Sequence, residues 1–207
     1  MDSIIVLGET KFYLNFSDYY DISIPLLFNG RQPSTYGLPR ATSKPYKDGQ
    51  FIGDTRLGGG CNFEQISFVP HCNGTHTECL GHITDERFSI IEKLQDVFIP
   101  STIITIEISN DQAISSSLIR SAIDDCQNIF LDGLIIRTLP NKEEKKYFNY
   151  QDFIPPYLSV DAIELINKIG VKHLLVDLPS IDRILDDGNL SAHHAFWNIE
   201  QGSHQIN

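Results

Sequence analysis

The stretch from Pro70 to Thr84, PHCNGTHTECLGHIT, is dense in side chains that can bind a metal ion. Three histidines, two cysteines and one glutamate lie within the twelve residues 71–82. These side chains share lone pairs that a metal ion can use once imidazole is neutral and thiol or carboxylate is ionised. The spacing matches no standard zinc pattern. The residues therefore leave two interpretations open, a metal site, or a turn and strand with scattered histidines and buried cysteines.

The conformation of this stretch decides which side chains can meet. If the chain is extended from His76 to Glu78, imidazole and carboxylate point to the same side, because strand side chains alternate between faces. Cys72 reaches the same ion only if the chain turns between it and His76. His82 can join them if Gly81 permits a bend. A single ion can then bind all of these side chains.

A second group of histidines lies near the carboxyl end. His193, His194 and His204 fall in the segment SAHHAFWNIEQGSHQIN. A metal site draws ligands from distant parts of a chain, and this is the other histidine-rich segment, although paired histidines in loops are usually solvated. The single His173 in VKHLLV is predicted to be a hydrogen-bonded core residue.

The composition limits the classes of partner. The chain has 207 residues, of which 41% are apolar and 21% charged, and its net charge is −11. These values are typical of one soluble globular domain. The negative charge argues against nucleic acid as a partner. The amino terminus MDSIIVLGETKFYLNF has neither a basic region nor a long apolar run, so we expect no signal peptide, no membrane span and a cytoplasmic protein with reduced cysteines.

The elements that must position these residues differ between the two halves of the chain. In the first half, SIIVLG, KFYLNF and YYDISIPL are strand-like, residues 28–60 are predicted to be a long loop, and NFEQISFVP returns to a strand. In the second half, residues 101–179 alternate strand, helix, strand, helix, strand. This alternation predicts an α/β fold.

Specific patterns support each element of the second half. In STIITIEIS, Ile104, Ile106 and Ile108 alternate with polar residues, which is typical of a half-buried strand. SSSLIRSAIDDC is predicted to be a helix with a serine cap, and LSVDAIELINKIG to be a helix capped by Ser159 and ended by Gly170. IFLDGLIIRT and VKHLLVDLPS are predicted to be strands, the latter buried.

The stretch HCNGTHTECLGH resembles the H-x-G-T-H-x-D-x-P-x-H signature of the cyclase family, which includes bacterial kynurenine formamidase and isatin hydrolase. DISIPL, LIIRT, LLVDLPSIDR and LSAHHAFW are similar to other segments of that family, so the resemblance covers nearly the whole chain. It implies a single α/β domain over residues 1–207, of the swivelling β/β/α type, assembled as a homodimer or larger homo-oligomer. It also implies a zinc or manganese centre and the hydrolysis of a small amide, as in tryptophan catabolism.

Matched position by position, the resemblance implies four metal ligands. His76 falls on the histidine of the Gly-Thr-His motif, and Glu78 falls on the aspartate that bridges two ions. Cys72 falls on the first histidine ligand, with His71 one residue out of register. The late histidine ligand falls on His193. Because a thiolate ligand is softer than imidazole, Cys72 favours zinc over manganese.

The resemblance also implies a catalytic histidine and one missing ligand. His82 falls on the family's proton donor and acceptor. The family's last ligand, a glutamate beyond the late histidine, has no counterpart in the expected strand. Either Glu200 replaces it, or the chain is a piece of a longer protein that lacks the family's C-terminal strand, which is what we expect.

These observations predict a hydrolase of a carbon–nitrogen amide bond that uses one or two zinc ions. His82 would transfer the proton from water to the leaving nitrogen. A flat aromatic substrate could be walled by Tyr19, Phe28, Tyr36 and Trp197. One alternative is a non-catalytic or single-metal relative of the same fold that binds a small ligand. Another treats Cys72 and Cys79 as a redox-sensing thiol pair.

Overall fold

The computed structural model of the protein describes residues 2–126 and 130–206. Its strands are β1 Asp2–Leu7, β2 Thr10–Asn15, β3 Thr42–Pro45, β4 Lys47–Asp48, β5 Phe51–Ile52, β6 Glu64–Ser67, β7 Ser101–Glu107, β8 Ala113–Ile114, β9 Gly133–Leu139, β10 Tyr157–Leu158 and β11 His173–Val176. Its α-helices are α1 Pro70–Asn73, α2 Ile90–Lys93, α3 Ser116–Asp124, α4 Val160–Lys168 and α5 Ser191–Phe196. Within these described ranges, no helix is long and apolar enough to cross a membrane.

The second half of the chain contains a parallel sheet of three strands with β9 between β7 and β11. Helix α3 connects β7 to β9, and helix α4 connects β9 to β11. Parallel neighbours require such crossovers, because the chain must return to the same edge before the next strand begins. The alternation predicted from the sequence is therefore confirmed, and the fold is α/β.

The hydrophobic core lies between one face of this sheet and the helices. Ile104, Ile106 and Ile108 are 2%, 3% and 7% exposed, as their alternation predicted. They belong to one cluster with Ile119 of α3 and Ile163 of α4, both fully buried. The other face of the sheet is less covered.

The ends of α4 lie where the sequence predicted them. Ser159 is the N-cap residue, but its hydroxyl donates to the Ile114 carbonyl at 3.0 Å and makes no capping hydrogen bond to the helix. The Asp161 carboxylate instead accepts the backbone N–H of Ser116 at 3.0 Å, which joins the starts of α3 and α4. Helix α4 ends before Gly170, whose φ of +89° favours glycine, so the predicted stop is confirmed.

The two predicted strands of the second half are shorter than expected. Strand β9 begins at Gly133 rather than at Ile129, and Ile129 lies outside the described residues. Strand β11 begins at His173, and Leu175 within it is 38% exposed. The prediction of a fully buried strand was wrong here, because helices cover mainly one face of the sheet.

The first half is built from small antiparallel pairs. Strands β1 and β2 form the predicted hairpin. The predicted loop 28–60 contains β3, which pairs with β6, and the short pair β4 and β5. The predicted strand YYDISIPL is absent from the described sheets; at this point Ile24 N–H donates to the Thr75 hydroxyl at 2.8 Å instead of to a neighbouring strand. This contact ties the segment to the histidine-rich stretch.

Candidate metal centre

Four imidazoles surround the carboxylate of Glu78. The Nε2 atom of His71 lies 3.5 Å from Glu78 Oε2, and the Nε2 atoms of His76 and His82 each lie 3.8 Å from it. His193 Nε2 lies 2.9 Å from Glu78 Oε1. One possible ligand atom each from His71, Glu78 and His82 lies within 4.8 Å of the others. Imidazole nitrogens and a carboxylate form a donor set that suits zinc and other transition metals.

Helix α1 decides which of two adjacent residues faces Glu78. Successive residues of an α-helix point about 100° apart around its axis. The side chain of His71 lies on the Glu78 side, whereas Cys72 points inward and is 6% exposed. Burial raises the pKa of the Cys72 thiol, which disfavours the thiolate that binds metals. The structure therefore brings His71 to the cluster in place of the predicted ligand Cys72.

Local backbone contacts aim His76 and His82. The Nδ1 atom of His76 donates to the Gly74 carbonyl at 3.1 Å, so that Nε2 is directed toward the carboxylate. His82 ends a short 3-10 turn in which Gly81 packs against Phe88. A Cβ atom at Gly81 would lie 2.9 Å from the Phe88 backbone nitrogen, which is closer than real Cβ atoms approach. The bend expected at Gly81 is thus present, and it requires glycine.

His193 reaches the cluster from helix α5, 115 residues away from Glu78 in the chain. Its ring is nearly buried, and its Nδ1 atom donates to the Asp182 carboxylate. The same carboxylate accepts the backbone N–H groups of Ala192 at 2.6 Å and of His193 at 3.2 Å. Sequence reasoning missed Asp182. Its only signal was its place in PSIDR, inside one of the segments that resemble the cyclase family.

Hydrogen bonding and burial act in opposite directions on the pair of Glu78 and His193. Burial opposes ionisation of Glu78, but His193 and His76 beside it hold the pKa of the carboxyl well below its usual range. Burial likewise opposes protonation of His193, but Asp182 and Glu78 outweigh it and raise the pKa of His193 to about 9. Without a metal, the pair is therefore an ion pair at neutral pH.

The rings of His71 and His82 lie against each other on the more open side of the cluster. Their centroids are 4.6 Å apart and the rings are stacked. Burial lowers the pKa of both imidazoles, which favours the neutral form that binds metals and accepts protons. The Trp197 ring flanks the cluster, with its centroid 6.5 Å from that of His82 and 5.4 Å from that of His193.

The other three aromatic residues that were predicted to wall the substrate are not described by a ring contact with the histidines, as Trp197 is. The pKa of Tyr36 is raised by burial and by the negative charge of Asp186, near the segment that carries Asp182. Tyr19 is 76% exposed. Phe28 packs edge-on against Phe68, with ring centroids 6.1 Å apart. Of the four predicted residues, the structure places Trp197 directly beside the histidines.

Three further candidates from the carboxyl end contribute no atom to the group described above, within the part of the chain that the structure describes. His204 Nδ1 donates to the Ile83 carbonyl at 2.7 Å and ties the end of the chain to the residue after His82. His194 is buried in α5, and Glu200 is exposed in the following turn. The ligand role considered for Glu200 thus has no support from this geometry.

Two minor predictions concern His173 and the thiols. The His173 ring is hydrogen-bonded as predicted, to Asp96 at 3.0 Å, but it lies at the edge of the core rather than inside it. Cys72 and Cys79 are both free thiols. The Cys79 thiol donates to the Phe88 carbonyl at 3.7 Å.

The sequence of this chain is similar to a known protein family and to several curated proteins. Residues 20–183 match the family described as "Putative cyclase". The kynurenine formamidase of Bacillus cereus strain ZK is 28% identical over 140 residues, which cover 67% of this chain and 61% of that protein. The kynurenine formamidase of Bacillus cereus strain ATCC 10987 is 28% identical over 186 residues, which cover 87% of this chain and 78% of that protein.

The coverage of these relatives is partial. The kynurenine formamidase of Bacillus anthracis is 26% identical over 139 residues, which cover 67% of this chain and 61% of that protein. The chain thus spans about three fifths of the length of several curated relatives that it matches. The family match contains the histidine-rich stretch and Asp182, and it ends before α5.

Proposed function

The chain belongs to the putative cyclase family, and from that premise we propose that it is a metal-dependent, formamidase-like hydrolase that cleaves the carbon–nitrogen bond of a small aromatic amide. The observation that carries the proposal is the convergence of four histidines on the Glu78 carboxylate. The similarity to kynurenine formamidases supports the reaction class. The metal and the aromatic substrate are proposed from the residues around Glu78.

The donor set fits zinc. We assign His71, His76, Glu78 and His193 as ligands, with His71 in the place first predicted for Cys72. Zinc is preferred to manganese because the set is rich in imidazole, which suits zinc, whereas manganese favours carboxylate, carbonyl and water oxygens. When bound, zinc acts as a Lewis acid and lowers the pKa of water toward ~7.

His82 is the proposed proton carrier. In amide hydrolysis the oxygen of water bonds to the carbonyl carbon, the carbon–nitrogen bond breaks, and a proton from water ends on the leaving nitrogen. His82 Nε2 takes that proton from water and passes it to the leaving nitrogen, so that acid and amine leave as products. Its side chain is 30% exposed and lies 3.8 Å from Glu78, so substrate and cluster can both reach it.

Trp197 supports an aromatic substrate. Its ring lies beside His82 and His193 and offers a flat apolar surface next to the polar cluster. Aromatic pairs stabilise each other by about 0.5–1.5 kcal/mol beyond the area that they bury. An N-formylated arylamine, with its ring on Trp197 and its amide over the histidines, matches this arrangement.

Two measurements on the same preparation test the proposal. Protein purified without a chelator or a histidine tag should contain one or two zinc ions per chain by elemental analysis. It should release formate from N-formyl arylamines, lose that activity on chelation and regain it with zinc. A protein without bound metal, or one that no zinc addition activates, contradicts the proposal. Zinc binding without hydrolysis of any amide in the panel supports the ligand-binding alternative.

A His82→Asn variant separates the two roles that this histidine can have. If His82 carries the proton, the variant should hydrolyse the amide about 100-fold more slowly or worse, while its zinc content stays the same. Loss of zinc together with activity would make His82 a ligand instead. A matched control is His204→Asn, which removes a histidine that bonds the Ile83 carbonyl outside the cluster.

The surface of the protein supports assembly with a second copy. Its accessible area is 13683 Å², whereas a compact monomer of 23.4 kDa exposes about 9,700 Å². This excess surface on one chain is larger than the roughly 1,000–2,500 Å² that each partner of an obligate homodimer buries, so a second copy can cover part of it. We propose that the chain is one domain of the swivelling type that forms a homodimer or larger homo-oligomer. Light scattering that gives the monomer mass at micromolar concentration contradicts this.

A further inference from the structure

We propose that Asp182 is a positioning residue, which holds the His193 ring against Glu78 and thereby strengthens metal binding at the centre. The metal part rests on the proposed function, whereas the ring position can be tested without any metal. Asp182 is 6% exposed, and its carboxylate accepts the backbone N–H groups of Ala192 and His193 together with His193 Nδ1. One carboxylate thus holds both the start of α5 and the ring that α5 carries.

Asp182 can do this because its own segment is anchored to the α/β half. The preceding residue, Ile181, accepts the backbone N–H of Leu158 in β10 at 2.8 Å. The following residue, Arg183, binds the Asp111 carboxylate through two nitrogens at 2.8 and 3.0 Å. Paired contacts of this kind restrict both position and orientation. The residues before and after Asp182 are therefore both held in place, and they fix the backbone that carries its carboxylate.

The contact determines which nitrogen of His193 faces the cluster. Because the carboxylate accepts a hydrogen bond from Nδ1, that nitrogen keeps its proton, and Nε2 is the nitrogen that points at Glu78, 2.9 Å from its Oε1 atom. Nε2 also carries a proton in the metal-free ion pair and would have to lose it to bind a metal. A metal-binding histidine needs its free nitrogen aimed at the ion, and a carboxylate on the other nitrogen fixes both tautomer and ring orientation. Rotation of the ring about its side-chain bonds would break the contact with Asp182. The orientation of His193 thus depends on Asp182 as well as on α5.

Asp186 provides a matched control in the same segment. Its carboxylate also accepts two backbone N–H groups near the start of α5, from Gly188 at 2.9 Å and Leu190 at 2.7 Å. These bonds go to the backbone before α5 and not to the His193 ring. Removing the charge at Asp186 should therefore weaken the backbone contacts before α5 without the effect on the ring.

The test compares Asp182→Asn with Asp186→Asn in two readouts. In metal-stripped protein, long-range proton–nitrogen spectra of the imidazoles should show one sharp set of His193 ring signals, which Asp182→Asn shifts or broadens and Asp186→Asn leaves unchanged. Competition with a chromophoric chelator should show zinc affinity lowered by about 10- to 100-fold in Asp182→Asn. Asp186→Asn should keep the wild-type affinity.

Each outcome decides one of the two proposals. Unchanged His193 ring signals in Asp182→Asn overturn the positioning role, whether or not the protein binds zinc. Absence of zinc binding in the wild type overturns the proposed function, while the ring spectra still decide on Asp182. If Asp182→Asn does not fold, Asp182→Glu replaces it, since it keeps the carboxylate but displaces it by one methylene group from the His193 ring.

A double variant tests whether Asp182 acts through the ring. Adding Asp182→Asn to His193→Ala should cause no further loss of zinc affinity, because the group that Asp182 positions is already absent. An additional loss as large as in the wild-type background would show that Asp182 acts by another route, and it would contradict the inference.

Discussion

The two halves of the protein bury their apolar side chains to very different extents. The hydrophobic core cluster lies entirely in the second half, between the parallel sheet and its helices. In the first half, the buried apolar residues of the described part are Ala41, Cys72 and Ile83. Large side chains there face solvent, and Tyr13 and Tyr20 are 80% and 89% exposed. The second half is stabilised by its own core, whereas the first half depends on short ladders and individual contacts.

The candidate metal centre lies where the two halves meet. His71, His76, Glu78 and His82 come from the weakly packed half, and His193 comes from the well-packed half together with Asp182. The bond between His193 and Glu78 joins them over 2.9 Å. This contrast indicates that the packed half supplies a fixed support, to which ligands from the other half are added.

The largest expected effect comes from breaking the packed half. Ile136 in β9 is 1% exposed, and replacing it by alanine removes buried methylene groups and leaves a cavity. We expect Ile136→Ala to lower the free energy of unfolding by about 2–5 kcal/mol. The matched change Ile4→Ala in β1, where the side chain is 54% exposed, should cost less than about 0.5 kcal/mol. Urea unfolding measures both. Equal losses would show that the halves do not differ.

The second prediction breaks the join between the halves. Glu78→Gln removes the carboxylate charge that four imidazoles share. It should lower kcat/KM for amide hydrolysis by more than about 100-fold, because mutation of a residue that only supports a metal ligand already lowers metal affinity or activity 10- to 100-fold. Zinc content should fall with it. Glu64→Gln on β6, an exposed site in the same half, should leave both unchanged. Full activity in Glu78→Gln would remove Glu78 from the site.

The third prediction sharpens the contrast with added metal. Free zinc at about 100 times its dissociation constant stabilises the zinc-bound form by about 2.7 kcal/mol. Hydrogen exchange should therefore slow most at residues 70–84, whose local opening separates the ligands. Amides of β9 should be protected already and change less. Protection that is uniform along the chain would contradict a difference in local stability between the halves.

The smallest expected effect is the pH dependence of a contact inside the packed half. Hydrogen bonds from Ser116 lower the pKa of Asp161 from 3.8 to about 2. A carboxyl with a lowered pKa stabilises the fold above its ordinary pKa, and this stabilisation disappears as pH falls from about 4 through 2. Asp161→Asn should therefore be less stable than wild type at pH 6, and the difference should shrink by pH 2 in urea unfolding. A difference that does not change with pH would contradict this assignment.

The second half of the fold was predictable because its signals are local. The alternation at Ile104, Ile106 and Ile108 and the period of α4 arise from each element burying one face, so neighbouring residues carry the information. In the first half, a strand-like composition led to a wrong prediction. YYDISIPL has strand propensity, yet the hydrogen bond from Ile24 goes to a side chain at Thr75. Strand formation requires a partner strand, which local composition does not specify.

The candidate site was predictable in its location but only partly in its members. The density of metal-binding side chains pointed to residues 71–82, and the resemblance pointed to His193. Neither indicated that His71 rather than Cys72 would face Glu78, since the choice depends on one turn of helix at α1. Neither indicated Asp182, whose partner lies eleven residues later and is brought near by the packing of α5.

The sequence by itself determined the α/β alternation, the family and the place where metal-binding side chains concentrate, because these follow from side-chain chemistry and local periodicity. The tertiary structure decided which of those side chains share one carboxylate and which residue orients His193. Glu78 and His193 are 115 residues apart, and their 2.9 Å contact exists only because Asp182 and α5 are held by the packed half. Contacts between distant residues depend on how whole elements pack, and no local pattern records that.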